Sequence, residues 1–152
     1  MEISINKDTK LSVIFDAVAS GRKCTLVVDK PVETVGNFWS GIKHFNKNEF
    51  ACKCGGRYCG GFPVEISRRV VGVLDTIREY AGKPVVVSSG VRCKNHNKSV
   101  GGVENSYHIK GRAADFSVCG YSAQTTINIV KTLGFKPIEM YAIDSAYVHI
   151  AF

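Results

Sequence analysis

The sequence predicts an α+β domain built on a small, mostly antiparallel sheet with packed helices. Apolar residues recur at helical spacing in some segments, and other segments are short runs of strand formers. These elements do not alternate regularly, as they would around a parallel sheet. A length of 152 residues suits one globular domain. We expect the main domain over 41–152 and an N-terminal extension over 1–40 packed on it.

The first half of the chain contains two predicted helices. The segment 10–19 has helical apolar spacing, and a short strand over 24–28 follows it. Pro63 stands where a second helix can begin, and Gly82 where it can end. The apolar face of this second helix is formed by Ile66, Val70, Val73, Leu74 and Ile77. We expect this helix to be a core element.

The second half alternates predicted strands, a loop and a helix. Residues 83–89 are predicted to form a buried strand, 90–105 a polar loop rich in Gly and Asn, and 113–118 another strand. A helix is predicted over 122–133, with Ser122 as its N-cap. The segments 137–143 and 146–152 then suggest a terminal hairpin, with a turn at Asp144–Ser145.

The charge is concentrated in one stretch. The net charge is +7, and residues 41–112 hold 13 Lys or Arg against 5 Asp or Glu. A basic face attracts polyanions such as nucleic acid, anionic lipid or cell-wall polymers. No apolar run approaches the ~20 residues of a membrane span. The first residues do not resemble a secretory signal, so we expect synthesis in the cytoplasm.

Three side chains are candidate ligands for a metal ion. His108 and Asp115 are brought together if the chain turns at Gly111 and returns as a strand. In the last strand, His149 lies on the face opposite Val148 and Ile150. Two histidines, one carboxylate and an open position are typical of catalytic zinc. The alternative is a loop histidine, a strand-entry carboxylate and a half-buried imidazole with no metal.

Residues 106–115 form the pattern SxHxxGxAxD, which resembles the signature of the zinc D-alanyl-D-alanine carboxypeptidase family. That family includes peptidoglycan peptidases and phage endolysins. The similarity extends upstream to VSSGVRCKNHNKSVGG at 87–102 and downstream to YVHIAF at 147–152, and covers roughly 45–152. It implies the fold of the D-Ala-D-Ala carboxypeptidase and hedgehog type.

The resemblance implies roles for individual residues. His108, Asp115 and His149 would bind zinc, and Arg92 would contact the substrate carbonyl or carboxylate in catalysis. Ser106 and Tyr107 are further candidates for substrate binding. Relatives usually have a carboxylate three residues before the last zinc histidine, where this chain has Ala146.

The missing carboxylate leaves the general base open. Asp144 is the predicted replacement, although aspartate is also favoured in turns for local reasons. A two-residue turn at Asp144–Ser145 would pair Glu139 with Ile150, on the face away from His149. This register argues against Glu139 as the base. Glu65, Glu104 or another remote carboxylate stays open as an alternative base.

Four cysteines form a possible second metal site, namely Cys52, Cys54, Cys59 and Cys93. Their spacing is unlike the paired CxxC knuckles of zinc modules, so disulfides and free thiols stay open as alternatives. Cys24 and Cys119 are predicted to be buried as small hydrophobic residues.

The sequence thus predicts a monomeric, zinc-dependent peptidase that hydrolyses peptidoglycan stem peptides as a carboxypeptidase or endopeptidase. It would act at the cell wall if released or carried by a phage particle. The alternative is a non-hydrolytic, metal-binding relative that acts as a wall-binding or structural module. A nucleic-acid-binding zinc protein is disfavoured, because the chain lacks an aromatic and basic patch for stacking.

Overall fold

The computed structural model describes residues 38–152, which contain three α-helices and one four-stranded sheet. Two 3-10 helices, Phe38–Gly41 and Lys47–Phe50, come first. The α-helices are α1 (Arg68–Ala81), α2 (Lys94–Ser99) and α3 (Ala123–Thr132). The strands are β1 (Val85–Ser89), β2 (Ala113–Val118), β3 (Glu139–Ala142) and β4 (Tyr147–Ala151). The α+β class is confirmed.

Capping side chains set where the helices begin. The Ser67 hydroxyl accepts a hydrogen bond from the Arg69 amide, so α1 begins later than the predicted start at Pro63. Ser122 caps α3 as predicted, by accepting from the Thr125 amide. The short helix α2 occupies a segment predicted to be loop, and its N-cap is the Cys93 sulfur.

The sheet is antiparallel throughout, in the strand order β1-β2-β4-β3. Its central pair is β2 and β4, which contribute the fully buried Phe116, Val148 and Ile150 to the core. Buried residues of α1 and α3 belong to the same core. The alternation of side chains in β4 leaves His149 for the other face of the sheet.

The terminal hairpin is present, but its predicted register is wrong by one residue. Three residues, Asp144 to Ala146, separate Ile143 from Tyr147, whose carbonyl accepts the Ile143 amide at 2.8 Å. Oδ1 of Asp144 accepts the amides of Ala146 and Tyr147 at 2.8 and 2.7 Å, which stabilises this longer loop. Glu139 therefore pairs with Ala151 rather than Ile150, and lies on the same face as His149.

Some predictions fall outside the described residues. They include the helix over 10–19, the strand over 24–28, Cys24 and nearly all of the extension over 1–40. Cys119 is exposed, so its predicted burial is wrong, since it follows the last residue of β2 in a turn. Within 38–152, no helix has the length and apolar character to cross a membrane.

Candidate metal centre

The centre is built on one row of paired residues that crosses the sheet. Asp115 of β2 pairs with His149 of β4, and His149 pairs with Tyr141 of β3. On the other side, an irregularity in β1 brings Ser89 opposite Asp115. Directly paired residues of neighbouring strands have their side chains close together on one face. The strand register thus places the carboxylate beside the imidazole of His149.

A tight turn before β2 brings the third side chain to the same place. Gly111 has φ +67°, and a Cβ at this position would lie 2.1 Å from the Glu65 carbonyl oxygen. Glycine is needed here for both reasons. The turn returns the chain so that His108 is next to Asp115, as the sequence predicted. Ser106 is buried, and its hydroxyl accepts the His108 amide at 3.3 Å, so it stabilises the loop.

Three potential ligand atoms converge at the centre. Oδ1 of Asp115 is 2.7 Å from Nδ1 of His149 and 3.2 Å from Nε2 of His108, and the two imidazole nitrogens are 3.3 Å apart. The edge of a tetrahedron around zinc with nitrogen and oxygen ligands is about 3.3 Å. All three side chains are buried. The described residues therefore provide a compact group of metal ligands.

The hydrogen bonds of His108 determine which of its nitrogens faces the centre as an acceptor. Its Nδ1–H donates to the Gly90 carbonyl at 2.6 Å, which leaves the lone pair on Nε2 pointing at the Asp115 carboxylate. Two acceptors facing each other in a buried site repel, so either a proton, which makes Nε2 a donor to the carboxylate, or a metal ion must lie between them. The donor set of two imidazoles and one carboxylate thus fits zinc.

Arg92 holds the other oxygen of the Asp115 carboxylate. Its Nη2 donates to Oδ2 in a short, charge-assisted hydrogen bond, and its Nε donates to the Ser89 hydroxyl at 2.7 Å. Burial of Asp115 opposes its ionisation. Hydrogen bonds with His108 and His149 and the positive charge of Arg92 nevertheless hold the pKa of the carboxyl well below its usual range.

Two clefts open beside this centre. The first has a volume of about 330 Å³ and is lined by all three candidate ligands and by Arg92, Ser106, Tyr107, Glu139 and Tyr141, among others. The second, of about 350 Å³, is lined by Lys53, Arg92, His96, Asp115 and Asp144, among others. Arg92 and Asp115 line both clefts. The predicted substrate-binding residues therefore lie where a ligand could reach the centre.

Two residues lie beside His149, of which sequence reasoning missed Tyr141 and wrongly placed Glu139 on the opposite face. Tyr141 stacks on its ring, with centroids 4.7 Å apart and planes inclined by 18°. Oε2 of Glu139 is 3.3 Å from Nε2, although this nitrogen makes no hydrogen bond within the described part of the chain. A three-residue loop at Asp144, which this turn-forming residue also permits, would have predicted the register that pairs Tyr141 with His149 and Glu139 with Ala151.

Asp144, the predicted general base, lies at the tip of the hairpin on the edge of the second cleft. Backbone amides of Tyr147 and Ala146 donate to its carboxylate and lower the pKa of that group. The residue therefore has a clear local role in the turn. Its catalytic role stays a prediction.

The four predicted cysteines also meet in space. The sulfur atoms of Cys52, Cys54, Cys59 and Cys93 all lie within 4.8 Å of one another. None of these four cysteines forms a disulfide. This cysteine cluster is separate from the His108–Asp115–His149 group, although Cys93 follows Arg92 directly in the chain.

Comparison with known protein families gives a match. A family model described as Peptidase M15 matches residues 43–151, which is most of the chain and contains the His108–Asp115–His149 group and the four clustered cysteines. No curated protein matches the chain. The family consists of zinc-dependent metallopeptidases and implies a peptide substrate. On the strength of this match and of its SxHxxGxAxD loop, the chain belongs to the peptidase M15 family.

Proposed function

We propose that the protein is a zinc peptidase that hydrolyses peptidoglycan stem peptides, as a carboxypeptidase or an endopeptidase, in a phage-related setting. The observation that carries the proposal is the convergence of His108 Nε2, Asp115 Oδ1 and His149 Nδ1 within 3.3 Å of one another. We assign these three side chains as the zinc ligands. The same family assignment supports a fold of the D-Ala-D-Ala carboxypeptidase and hedgehog type.

Zinc at such a site supplies Lewis acidity toward a substrate carbonyl and lowers the pKa of water toward ~7. The protein supplies the positioning. Arg92 orients the Asp115 carboxylate through Oδ2 and leaves Oδ1 toward the ligand group. Because Arg92 also lines both clefts, we assign it the binding of the substrate carbonyl or carboxylate.

Two carboxylates are candidates for the group that accepts the proton. Asp144 is the acceptor predicted from the sequence, and it lines the second cleft. Glu139 is favoured by a separate observation, since it shares the first cleft with all three ligands and its carboxylate is 3.3 Å from His149. A positioned base is worth about 10²–10⁴ in rate. Comparing kcat of Glu139→Gln and Asp144→Asn, both measured at saturating zinc, therefore tests the two candidates.

The charge distribution supports an anionic substrate. The second cleft is lined by two basic residues, Lys53 and Arg92, and two acidic ones, Asp115 and Asp144, so the support comes from the stretch 41–112, which has an excess of eight positive charges. Stem peptides carry free carboxylates, and the wall carries anionic polymers that a basic protein attracts. This agreement favours a wall peptide over a neutral peptide. It also favours action at the wall after release from a cell or delivery by a phage particle.

The test is hydrolysis of purified peptidoglycan. Wild-type protein with zinc should release new peptide ends, identified by mass spectrometry of the soluble fragments, and His108→Ala should release none. The bond cut is then read from the fragments. Zinc-loaded wild-type protein that releases nothing from any wall chemotype contradicts the peptidase proposal.

Ala146 favours a second candidate, a non-hydrolytic module that keeps the metal centre and binds the wall. In that case the wild-type protein sediments with purified walls but releases no fragments. Sedimentation without hydrolysis would replace the first proposal with this one.

A further inference from the structure

We propose that Cys52, Cys54, Cys59 and Cys93 bind a second, structural metal ion, with zinc as the matching divalent cation. The site is distinct from the His108–Asp115–His149 group and has a different ligand chemistry. It would fix the loop that carries Lys53 to the segment that carries Arg92. The proposal does not depend on peptidase activity.

The distances between sulfur atoms match a tetrahedral thiolate site. Sγ of Cys52 is 3.9 Å from Sγ of Cys93, and Sγ of Cys54 is 3.6 Å from Sγ of Cys59. The edge of a tetrahedron with zinc–sulfur bonds is about 3.8 Å. A disulfide would bring a pair of sulfur atoms to about 2.05 Å. All four sulfur atoms lie within 4.8 Å of one another, so they form one group rather than two separate pairs.

The surroundings of the sulfur atoms suit thiolates. The Cys93 amide donates to Sγ of Cys52, and the His96 amide donates to Sγ of Cys93, both at 3.4 Å. Such donors stabilise negative charge on sulfur. Cys52 and Cys93 are buried, and Cys54 and Cys59 are partly buried. Four thiolates around one divalent cation carry a net charge of about −2, and Lys53, Arg57 and Lys94 are near them in sequence.

The chain around the cluster has little other structure to hold it. Residues 51–62 contain no helix or strand. A hydrogen bond from the Cys52 amide to the Gly61 carbonyl at 2.7 Å joins the two ends of this loop. Cys93 is 41 residues from Cys52, so an ion shared by them joins distant parts of the chain. Four protein ligands leave no open position, which is typical of structural rather than catalytic zinc.

Two residues next to the clustered cysteines in sequence also lie near the His108–Asp115–His149 group. Arg92 directly precedes Cys93, and its side chain contacts Asp115 and Ser89. Lys53 stands between Cys52 and Cys54 and lines the second cleft. An ion in the cysteine cluster would therefore restrain two basic residues that face the substrate side.

The experiment is metal analysis of full-length protein purified under reducing conditions without chelators. Wild-type protein should contain two zinc ions per chain, and Cys54→Ser/Cys59→Ser should contain one. His108→Ala should also contain one, while Cys119→Ser, an exposed cysteine outside the cluster, should keep both. Cobalt added to metal-free His108→Ala should give the intense near-ultraviolet band of thiolate ligation.

The cobalt spectrum keeps the test decisive if the double-serine variant fails to fold, because it uses intact cysteines. Zinc content unchanged by Cys54→Ser/Cys59→Ser, or no thiolate band in His108→Ala, would overturn the proposal. So would a denatured mass showing that the four cysteines are paired as disulfides in the reduced preparation. Failure of the peptidase proposal looks different, since it is an absence of hydrolysis whatever the cysteines bind.

Discussion

The two groups of potential metal ligands are held together in different ways. The His108–Asp115–His149 group is positioned by strand register and a glycine turn, and its members are held by further hydrogen bonds to Gly90 and Arg92. The cysteine cluster lies mostly in loops, where Cys52 and Cys93 belong to the hydrophobic core and Cys54 and Cys59 pack against it. The first group is thus built before any ion binds. We expect the second to depend more on its proposed ion, because no strand register holds its ligands together.

This difference has a physical consequence. A preformed group with three protein ligands tolerates loss of the ion, because the sheet and the turn persist without it. A loop-borne group of four ligands couples metal binding to local folding, so its ion contributes directly to stability. The predictions below test this contrast, beginning with the largest effect.

The largest effect is expected from Asp115→Asn, which removes the charged ligand between the two histidines. Zinc affinity of this group should fall by more than the ~10–100-fold typical of outer residues, and hydrolysis should fall to background. The cysteine cluster should keep its ion, because it shares no ligand with Asp115. Chelator competition and metal analysis measure both sites. Loss of both ions from a folded variant would show that the two groups are not independent.

The turn before β2 is expected to be a sensitive backbone position. Gly111→Ala places a Cβ against the Glu65 carbonyl at φ +67°, and should lower the free energy of unfolding by about 2–5 kcal/mol. The matched control is Gly134→Ala at φ +76°, where an added Cβ would have no atom within 4 Å apart from its chain neighbours. Its free energy of unfolding should fall by only about 1–2 kcal/mol. Denaturant unfolding measures both. Equal losses would mean that the close approach to Glu65 is not a constraint.

A smaller effect is expected from Glu139→Gln, which replaces the carboxylate beside Nε2 of His149 with a neutral amide. Zinc affinity of the His108–Asp115–His149 group should fall about 10- to 100-fold, because outer carboxylates orient histidine ligands and raise their basicity. Glu104→Gln is the control, since Glu104 is exposed and lines neither cleft. Chelator competition in the absence of substrate separates this role from catalysis. Unchanged affinity together with lowered kcat would assign Glu139 to proton transfer instead.

The smallest effect on stability is expected from Asp144→Asn, which replaces an exposed carboxylate that accepts two amides of the hairpin loop. Because folding lowers the pKa of Asp144, its charge stabilises the fold above the unfolded-state pKa of about 3.9. This contribution is lost as pH falls through the folded-state pKa. Denaturant midpoints of wild type and variant should therefore differ slightly at neutral pH and converge in acid. A constant difference across this pH range would contradict the assignment.

The sequence determined the chemistry of the centre. Spacing and strand alternation identified His108, Asp115 and His149 as candidate ligands, and the resemblance of the SxHxxGxAxD loop to a zinc peptidase signature favoured a metal site over the alternative without one. The α1 and α3 helices were predicted by apolar spacing and by the caps and stops around them. These features are local, so they are readable from neighbouring residues.

Only the tertiary structure decided which face Glu139 occupies and whether the cysteines meet. The hairpin register depends on whether the Asp144 carboxylate caps two amides, and a shift of one residue moves Glu139 to the opposite face. The stacking of Tyr141 on His149 follows from the same shift. Cys52 and Cys93 are 41 residues apart, and their approach is set by the packing of loops, for which sequence spacing holds no periodic pattern. Sequence motifs therefore identified the three ligands, while strand register and long-range packing determined which residues surround them.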